Sequence, residues 1–289
     1  MKNEIQLGRY KKLLAFIEEN FKEDLNIERV EAVCHYSYRN INRIFEALHQ
    51  ETIGKYIKRL RLEKAAQYLK YTDMGIADIS YEVGFEERAA FNKAFKKKYG
   101  CSPSAFRLGS EAIREKFQKS LLEEAGTNRQ QLQFDIEYLP DFEYIFLEYR
   151  GDYENFSAIE ETGNQFYAYA KDKGILSDRS IFMTEIVDDS DISDDIHLRY
   201  NLGCILEQAL PFEPEGLFRT KTHKRQKYAK FIHRGTHQSC SDFYQKIYAL
   251  WMLDVDLELQ DLPTLEFYPN YEETTLPEEI LTEIYIPVI

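Results

Sequence analysis

The stretch from Ile76 to Arg107, IADISYEVGFEERAAFNKAFKKKYGCSPSAFR, leaves few folds open. Ile76, Ile79 and Val83 recur at helical spacing, Gly84-Phe85 breaks the period, and a second helix follows with Phe91 and Phe95 on one face. The pattern predicts a helix-turn-helix. On the second helix the opposite side carries Ala89, Asn92, Lys93 and Lys96, with Arg88 near its start. A basic, hydrogen-bonding face turned away from a core suits a major-groove reader of double-stranded DNA.

The preceding residues repeat the arrangement. Lys11 to Phe21 reads as a helix with Leu13, Leu14 and Ile17 inward. Asn26 is placed to cap a helix over Ile27 to Cys34, and Ser37 a helix through His49. In the latter Ile41, Ile44, Phe45 and Leu48 are expected to share the buried face, with Arg39, Asn42, Arg43 and Glu46 opposite and Asn40 beside them. Arg39, Asn42, Arg43, Arg88, Asn92 and Lys93 are the candidates for base edges, because Arg suits guanine O6/N7 and Asn suits adenine N6/N7. Lys96, Lys97 and Lys98 suit phosphate, which positions without specifying. One polar helix face alone is usually just solvated; two in tandem point to nucleic acid.

Both stretches resemble the AraC/XylS family of bacterial transcription regulators. The second carries Ile79-Ser80, Gly84-Phe85, Phe91, Phe95-Lys96 and Gly100-x-Ser102-Pro103-x-x-x-Arg107. The first carries Ser37-x-x-x-Ile41-x-Arg43-x-Phe45, Thr52, Tyr56-Ile57 and Arg61-Leu62-x-x-Ala65. Two departures stand out: Ser80 where Ala is commoner, and Gln50 where the family usually has Gly, so a differently shaped turn is expected there. The resemblance implies that Ile53 to Lys70 is a long helix joining two reading units. It could set them in successive major grooves about 34 Å apart. RNA polymerase is a further partner expected of such a regulator.

A net charge of -13 argues against nucleic acid until it is divided. Residues 1–108 hold 20 Lys+Arg against 15 Asp+Glu, and the remainder holds 17 against 35. An acidic total hides a basic module. With 289 residues the chain has room for two ordinary domains. The expected boundaries are 1–108 for the DNA-binding domain, 109–130 for a charged linker with one helix, and 131–289 for a second domain. No apolar run reaches membrane-spanning length, and MKNEIQLGRYKK at the start has no signal-peptide core, so a cytoplasmic protein is expected. Cys34, Cys101, Cys204 and Cys240 are scattered, as reduced thiols would be.

Beyond residue 131 aromatic density rises and the pattern turns strand-like. At an offset of 84, Tyr144-x5-Arg150-Gly151 matches Tyr228-x5-Arg234-Gly235. Held without gaps, that offset lays Phe166-Tyr167 on Leu250-Trp251, Ile181–Met183 on Leu265–Phe267, and Leu198–Tyr200 on Thr282–Ile284. Each half reads strand, helix, strand, strand. The expected fold is therefore an all-α tandem helix-turn-helix domain followed by an α+β domain of two β-α-β-β repeats.

The second half resembles the GyrI-like effector-binding domain through Tyr228-Ala229, His233-x-Gly235, Trp251, Pro263-x-x-Glu266-x-Tyr268 and Ile286-Pro287-Val288. His197–Gly203 is similar to the strand closing its first half. The resemblance implies a small-molecule pocket between the halves with Glu266 as its acidic residue. Glu266 and Tyr268 are two apart on a strand and so face the same way. A carboxylate among aromatics calls for a cation. Tyr149, Tyr167, Phe182 and Trp251 are the expected lining, with Tyr153 and Tyr228 nearby, and a hydrophobic, cationic small molecule the expected effector. The alternative within the resemblance is a small-molecule hydrolase with Glu266 as general base; a pocketless interaction module is a third reading.

Other chemistry finds no support. His233-x3-His237-x2-Cys240 invites zinc, but Arg234-Gly235 interrupts any helix joining the histidines, and the repeat equivalents are Tyr149, Tyr153 and Phe156. No P-loop or G-x-G-x-x-G is present. A non-enzymatic regulator without cofactor or metal is expected.

Overall fold

In the computed structural model, which describes residues 2–112, 132–190, 192–247, 251, 257–270 and 274–289, the chain divides into two units, 1–113 and 114–289. The predicted linker lies outside the described residues from position 113 onward.

The first unit is helical: α1 (Lys2–Asn20), α2 (Ile27–Cys34), α3 (Tyr38–His49), α4 (Ile53–Tyr71), α5 (Ile76–Glu82), α6 (Arg88–Tyr99) and α7 (103–112). The Asn26 side chain caps α2 by accepting from Arg29 N–H at 3.0 Å. Ser37 occupies the cap position of α3, yet its hydroxyl does not cap; Glu31 Oε1 instead accepts from Tyr38 N–H at 2.7 Å. Leu13, Leu14 and Ile17 of α1 bury against Val30, Cys34, Ile41, Phe45 and Tyr56. The expected inward position of Leu48 is corrected: it is 52% exposed, and His49 is buried in its stead, stacked on Phe45 at 4.1 Å and hydrogen-bonded to Tyr10. The inward row is Ile41, Phe45, His49, each a turn apart, and it leaves Leu48 on the helix shoulder.

The second helix-turn-helix is held by a run of rings. Phe91 packs Phe85 at 5.4 Å and Phe95 at 5.6 Å, and Phe95 meets Tyr99 at 4.6 Å and Phe106 of α7 at 5.4 Å. Gly84 takes φ +83, and a Cβ there would lie 2.2 Å from Lys22 O, so only glycine fits this turn against the end of α1. Arg61 of α4 fixes the same junction, donating to Phe21 O, Gly84 O and Glu23 O at 2.6–2.7 Å.

The second unit is an eight-stranded antiparallel sheet with helices on one face. Its strands are β1 (Asp135–Leu139), β2 (Phe142–Arg150), β3 (Phe182–Ile186), β4 (Arg199–Ile205), β5 (Arg219–His223), β6 (Gln226–Arg234), β7 (Thr264–Phe267) and β8 (Leu281–Pro287). Helix α8 (Phe156–Asp172) follows β2, and α9 (Cys240–Lys246) follows β6. The spatial order is β1-β6-β8-β7-β3-β4-β2-β5.

Each half therefore carries the expected strand-helix-strand-strand, with one more strand in front. Those leading strands are exchanged: β1 pairs with β6 of the second half, and β5 pairs with β2 of the first. The gapless offset is also corrected. β2 and β6 begin 84 positions apart, at Phe142 and Gln226, but β4 and β8 begin 82 apart, at Arg199 and Leu281. A two-residue shortening in the second half moves every later equivalence two positions along its strand while keeping it on the same face.

Ile145, Leu147 and Cys204 pack under α8 with Phe166 and Ala170; Ala229, Phe231, Ile284 and Ile286 pack under α9 with Ile247 and Trp251. The opposite face gathers Tyr144, Phe146, Met183, Tyr228, Leu265, Phe267 and Tyr285. On it Gly203 is the closest approach: a Cβ would stand 2.1 Å from Ile145 O.

Candidate functional site

In the first unit the outward faces of α3 and α6 are the candidate DNA interface. Arg39, Asn40 and Arg43 are exposed on α3, and Arg88, Ala89, Lys93, Lys96 and Lys97 on α6. Asn92 and Asn42 are half-buried. Asn42 already has structural work, since its Oδ1 accepts from Ile53 N–H at 3.0 Å and so starts α4. Lys98 turns inward to Glu63 at 3.3 Å. Glu63 in turn accepts from Arg59 at 3.0 Å, and Arg59 reaches Glu51 at 2.8 Å, so this buried network ties the last turn of α6 to the connecting helix. The differently shaped turn expected at Gln50 is corrected: Gln50 adopts the left-handed cap conformation itself, φ 57 and ψ 15.

In the second unit Glu266 is the centre. It lies on β7, opposite Thr184 of β3, on the sheet face that carries the helices, and is only 4% exposed. Its Oε2 accepts from Thr184 Oγ1 at 3.0 Å, Tyr200 OH at 2.8 Å and Tyr268 OH at 2.6 Å. Its Oε1 accepts from Tyr244 OH at 2.8 Å. Among the described residues these partners are all hydroxyls, with no cation. Tyr153 packs Tyr200 at 5.8 Å, and the His237 ring stands edge-on to Tyr268 at 4.9 Å.

The hydroxyls of Thr184, Tyr200 and Tyr268 also contact one another at 2.8–3.1 Å. With the contacts to Oε2 this makes more short oxygen–oxygen contacts than three hydroxyl protons can fill. The centre is rich in lone pairs and poor in protons. Burial, and then the Glu266 charge, push the phenols of Tyr200 and Tyr268 well above their ordinary range, so both remain donors.

Of the expected lining, Glu266 and Tyr268 come together; the other four side chains are engaged elsewhere. Trp251 is buried under α9, edge-on to Phe231 at 4.9 Å and Phe134 at 5.3 Å. Tyr167 is about half exposed on α8, where its ring lies 6.3 Å from Phe182. Tyr149 folds back over Gly151 to donate to Asp152 O at 3.0 Å. His233 repeats that fold over Gly235, its Nε2 within 2.9 Å of Ser239 Oγ and 3.4 Å of Thr236 O. The pair Tyr149 and His233 is thus a repeated structural device, which gives the histidine a role without metal. Thr184, Tyr200 and Tyr244 were missed. The offset of 84 had laid Phe182 on Glu266, whereas 82 lays Thr184 there; Tyr200 was legible two positions before Leu202 on the same strand face.

Paired helix-turn-helix motifs in one unit and an eight-stranded α+β fold in the other define the class: a helix-turn-helix protein with a separate α+β domain. A family model of the helix-turn-helix domain matches residues 31–109, and one of the GyrI-like small molecule binding domain matches residues 132–289. The chain belongs to the GyrI-like family through residues 132–289, which follow a helix-turn-helix domain similar to that of AraC-type regulators. The HTH-type transcriptional activator RhaS of Enterobacter sp. (strain 638) is 34% identical over 105 residues, 36% of this chain and 38% of RhaS. The transcriptional regulator Rob of Salmonella typhimurium (strain LT2) is 33% identical over 106 residues, 37% of either chain. The match thus spans well under half the length of either relative. The cryo-EM structure of an EcmrR–DNA complex in EcmrR-RPo is similar at a TM-score of 0.48 and 18% identity, covering 67% of this chain and 74% of that one. No helix among the described residues is long and apolar enough to cross a membrane.

Proposed function

We propose that the first unit reads an asymmetric duplex site with α3 and α6, and that the second unit senses a hydrophobic organic cation at Glu266. The observation that carries the effector class is the buried Glu266 carboxylate, surrounded by hydroxyls and rings with no cation among the described residues. Such a charge is costly to bury uncompensated, and a cation that also stacks on tyrosines offsets the cost twice. On the DNA side Arg39, Asn40, Arg43, Arg88, Ala89, Asn92 and Lys93 are the proposed base-facing set, and Lys96 and Lys97 the phosphate contacts. Effector binding alters DNA occupancy to the extent that the two DNA-affinity states differ in effector affinity. RNA polymerase is the partner such a regulator meets at a promoter.

A hydrolase would need Glu266 to hold and activate a water. Both carboxylate oxygens are occupied by hydroxyl donors, which favours binding over turnover.

Calorimetric titration with aromatic cations and their neutral isosteres tests the reading. Cations should bind the native protein, isosteres should not, and Glu266→Gln should lose at least tenfold in affinity, about 1.4 kcal/mol. Equal binding of charged and neutral members would discard the charge argument. Trp251, packed under α9, is a poor optical probe of this site.

A further inference from the structure

The two reading helices can be laid on each other residue by residue. Helices α3 and α6 are both 12 residues long, and each ends on a left-handed cap, Gln50 and Gly100. Ile41 and Phe45 fall on Phe91 and Phe95, all buried; half-buried Asn42 falls on Asn92, and exposed Arg43 on Lys93. One turn further the outward faces diverge. Lys96 and Lys97 of α6 are matched by Glu46 and Ala47 of α3, all four exposed. At the position of Glu46 the charge is inverted.

That carboxylate has no ion pair or side-chain hydrogen bond among the described residues, not even with Arg43 one turn earlier. Arg39, Arg43 and Glu46 fall within an arc of about 60° and span about 10 Å of the helix axis. That is roughly three base-pair steps. A free carboxylate on a surface that approaches a polyanion is repelled unless an amino group meets it. The major groove offers two: cytosine N4–H2 and adenine N6–H2. Beside adenine N6 stands the N7 acceptor, which faces a carboxylate lone pair to lone pair, so cytosine is the better partner.

We propose that Glu46 is a specificity-determining residue, accepting from cytosine N4–H2 in the part of the site read by α3 and holding that helix off duplex without it. The two reading helices then divide the work: α6, with its lysines, supplies grip, and α3 supplies discrimination. The inference rests on α3 lying in the major groove.

The test selects bound sequences from a random duplex pool with the full chain as native protein, Arg43→Ala, Glu46→Ala and Glu46→Lys, then compares affinities for selected and unrelated duplexes. The native motif should contain a cytosine that Glu46→Ala alone no longer requires, with roughly 5- to 150-fold discrimination lost at that base pair. Glu46→Lys should bind unrelated duplex more tightly and steepen the salt dependence, and thermal melting at the native temperature shows that each variant is folded. A Glu46→Ala motif identical to the native one, while Arg43→Ala changes it, overturns the proposal alone. No change with either variant overturns the placement of α3 in the groove.

Discussion

Gln50 holds a left-handed backbone, φ 57, at the end of the first reading helix, where a side chain costs about 1 kcal/mol relative to glycine. Gly100 has the equivalent cap at the end of the second reading helix without that cost. Gln50→Gly should therefore raise the melting temperature of the DNA-binding unit, by a stabilisation of about 1 kcal/mol; an unchanged or lower value would mean that the Gln50 side chain contributes more than its backbone loses. The residue scale is also where the sequence was hardest to read. Departure from glycine at position 50 suggested a new turn shape, but capping geometry is set by the helix ending and the residue complies. Asn42 looked like a base reader because its outward neighbours are basic. Only the fold shows its amide bound to the start of α4.

At the scale of elements, periodicity and capping residues revealed α2, α3, α5, α6, the latter half of α1 and the strand-helix-strand-strand of each half, because those patterns follow from burying one face, whereas α4 came from the family resemblance and α7 had no such signal. What it could not reveal was the partner of each strand. Pairing of β1 with β6 and of β5 with β2 is decided by contacts between residues more than 70 positions apart, and the two-residue shortening of the second repeat is invisible without the register. Edge strand β5 is also tied to β2 by charge. Glu148 accepts from Arg219 of β5 at 2.6 Å and from Arg150 at 2.7 Å. Burial pushes its pKa up, but Arg150, Arg219 and Arg199 outweigh it and hold the carboxyl at about 2, below its ordinary 4.5. A folded-state value below the unfolded one contributes stability that is complete above about pH 4.5 and lost as pH falls toward 2. Thermal unfolding of the second unit should show that acid limb, and Glu148→Gln should flatten it. A variant with the same slope between those values would mean that other carboxylates set the acid stability.

For the whole molecule the division of charge matters more than its total. Residues 1–108 carry the basic excess and the rest of the chain the acidic one. Truncation after residue 112 should give a fragment that binds unrelated duplex more tightly than the full chain, with affinity falling steeply as salt rises. Salt-independent binding of the fragment would count against phosphate contacts by Lys96 and Lys97. In the second unit the crossing of β3 and β7 has its own consequence. Thr184 faces Glu266 there, and the two are equivalent positions of the two repeats. Were the repeats separate identical chains, whatever stood at that crossing would meet its own copy, and a carboxylate would meet a carboxylate. Joining them in one polypeptide lets the twofold be broken at a single point, so the centre carries one negative charge rather than two and can match a guest with one positive charge.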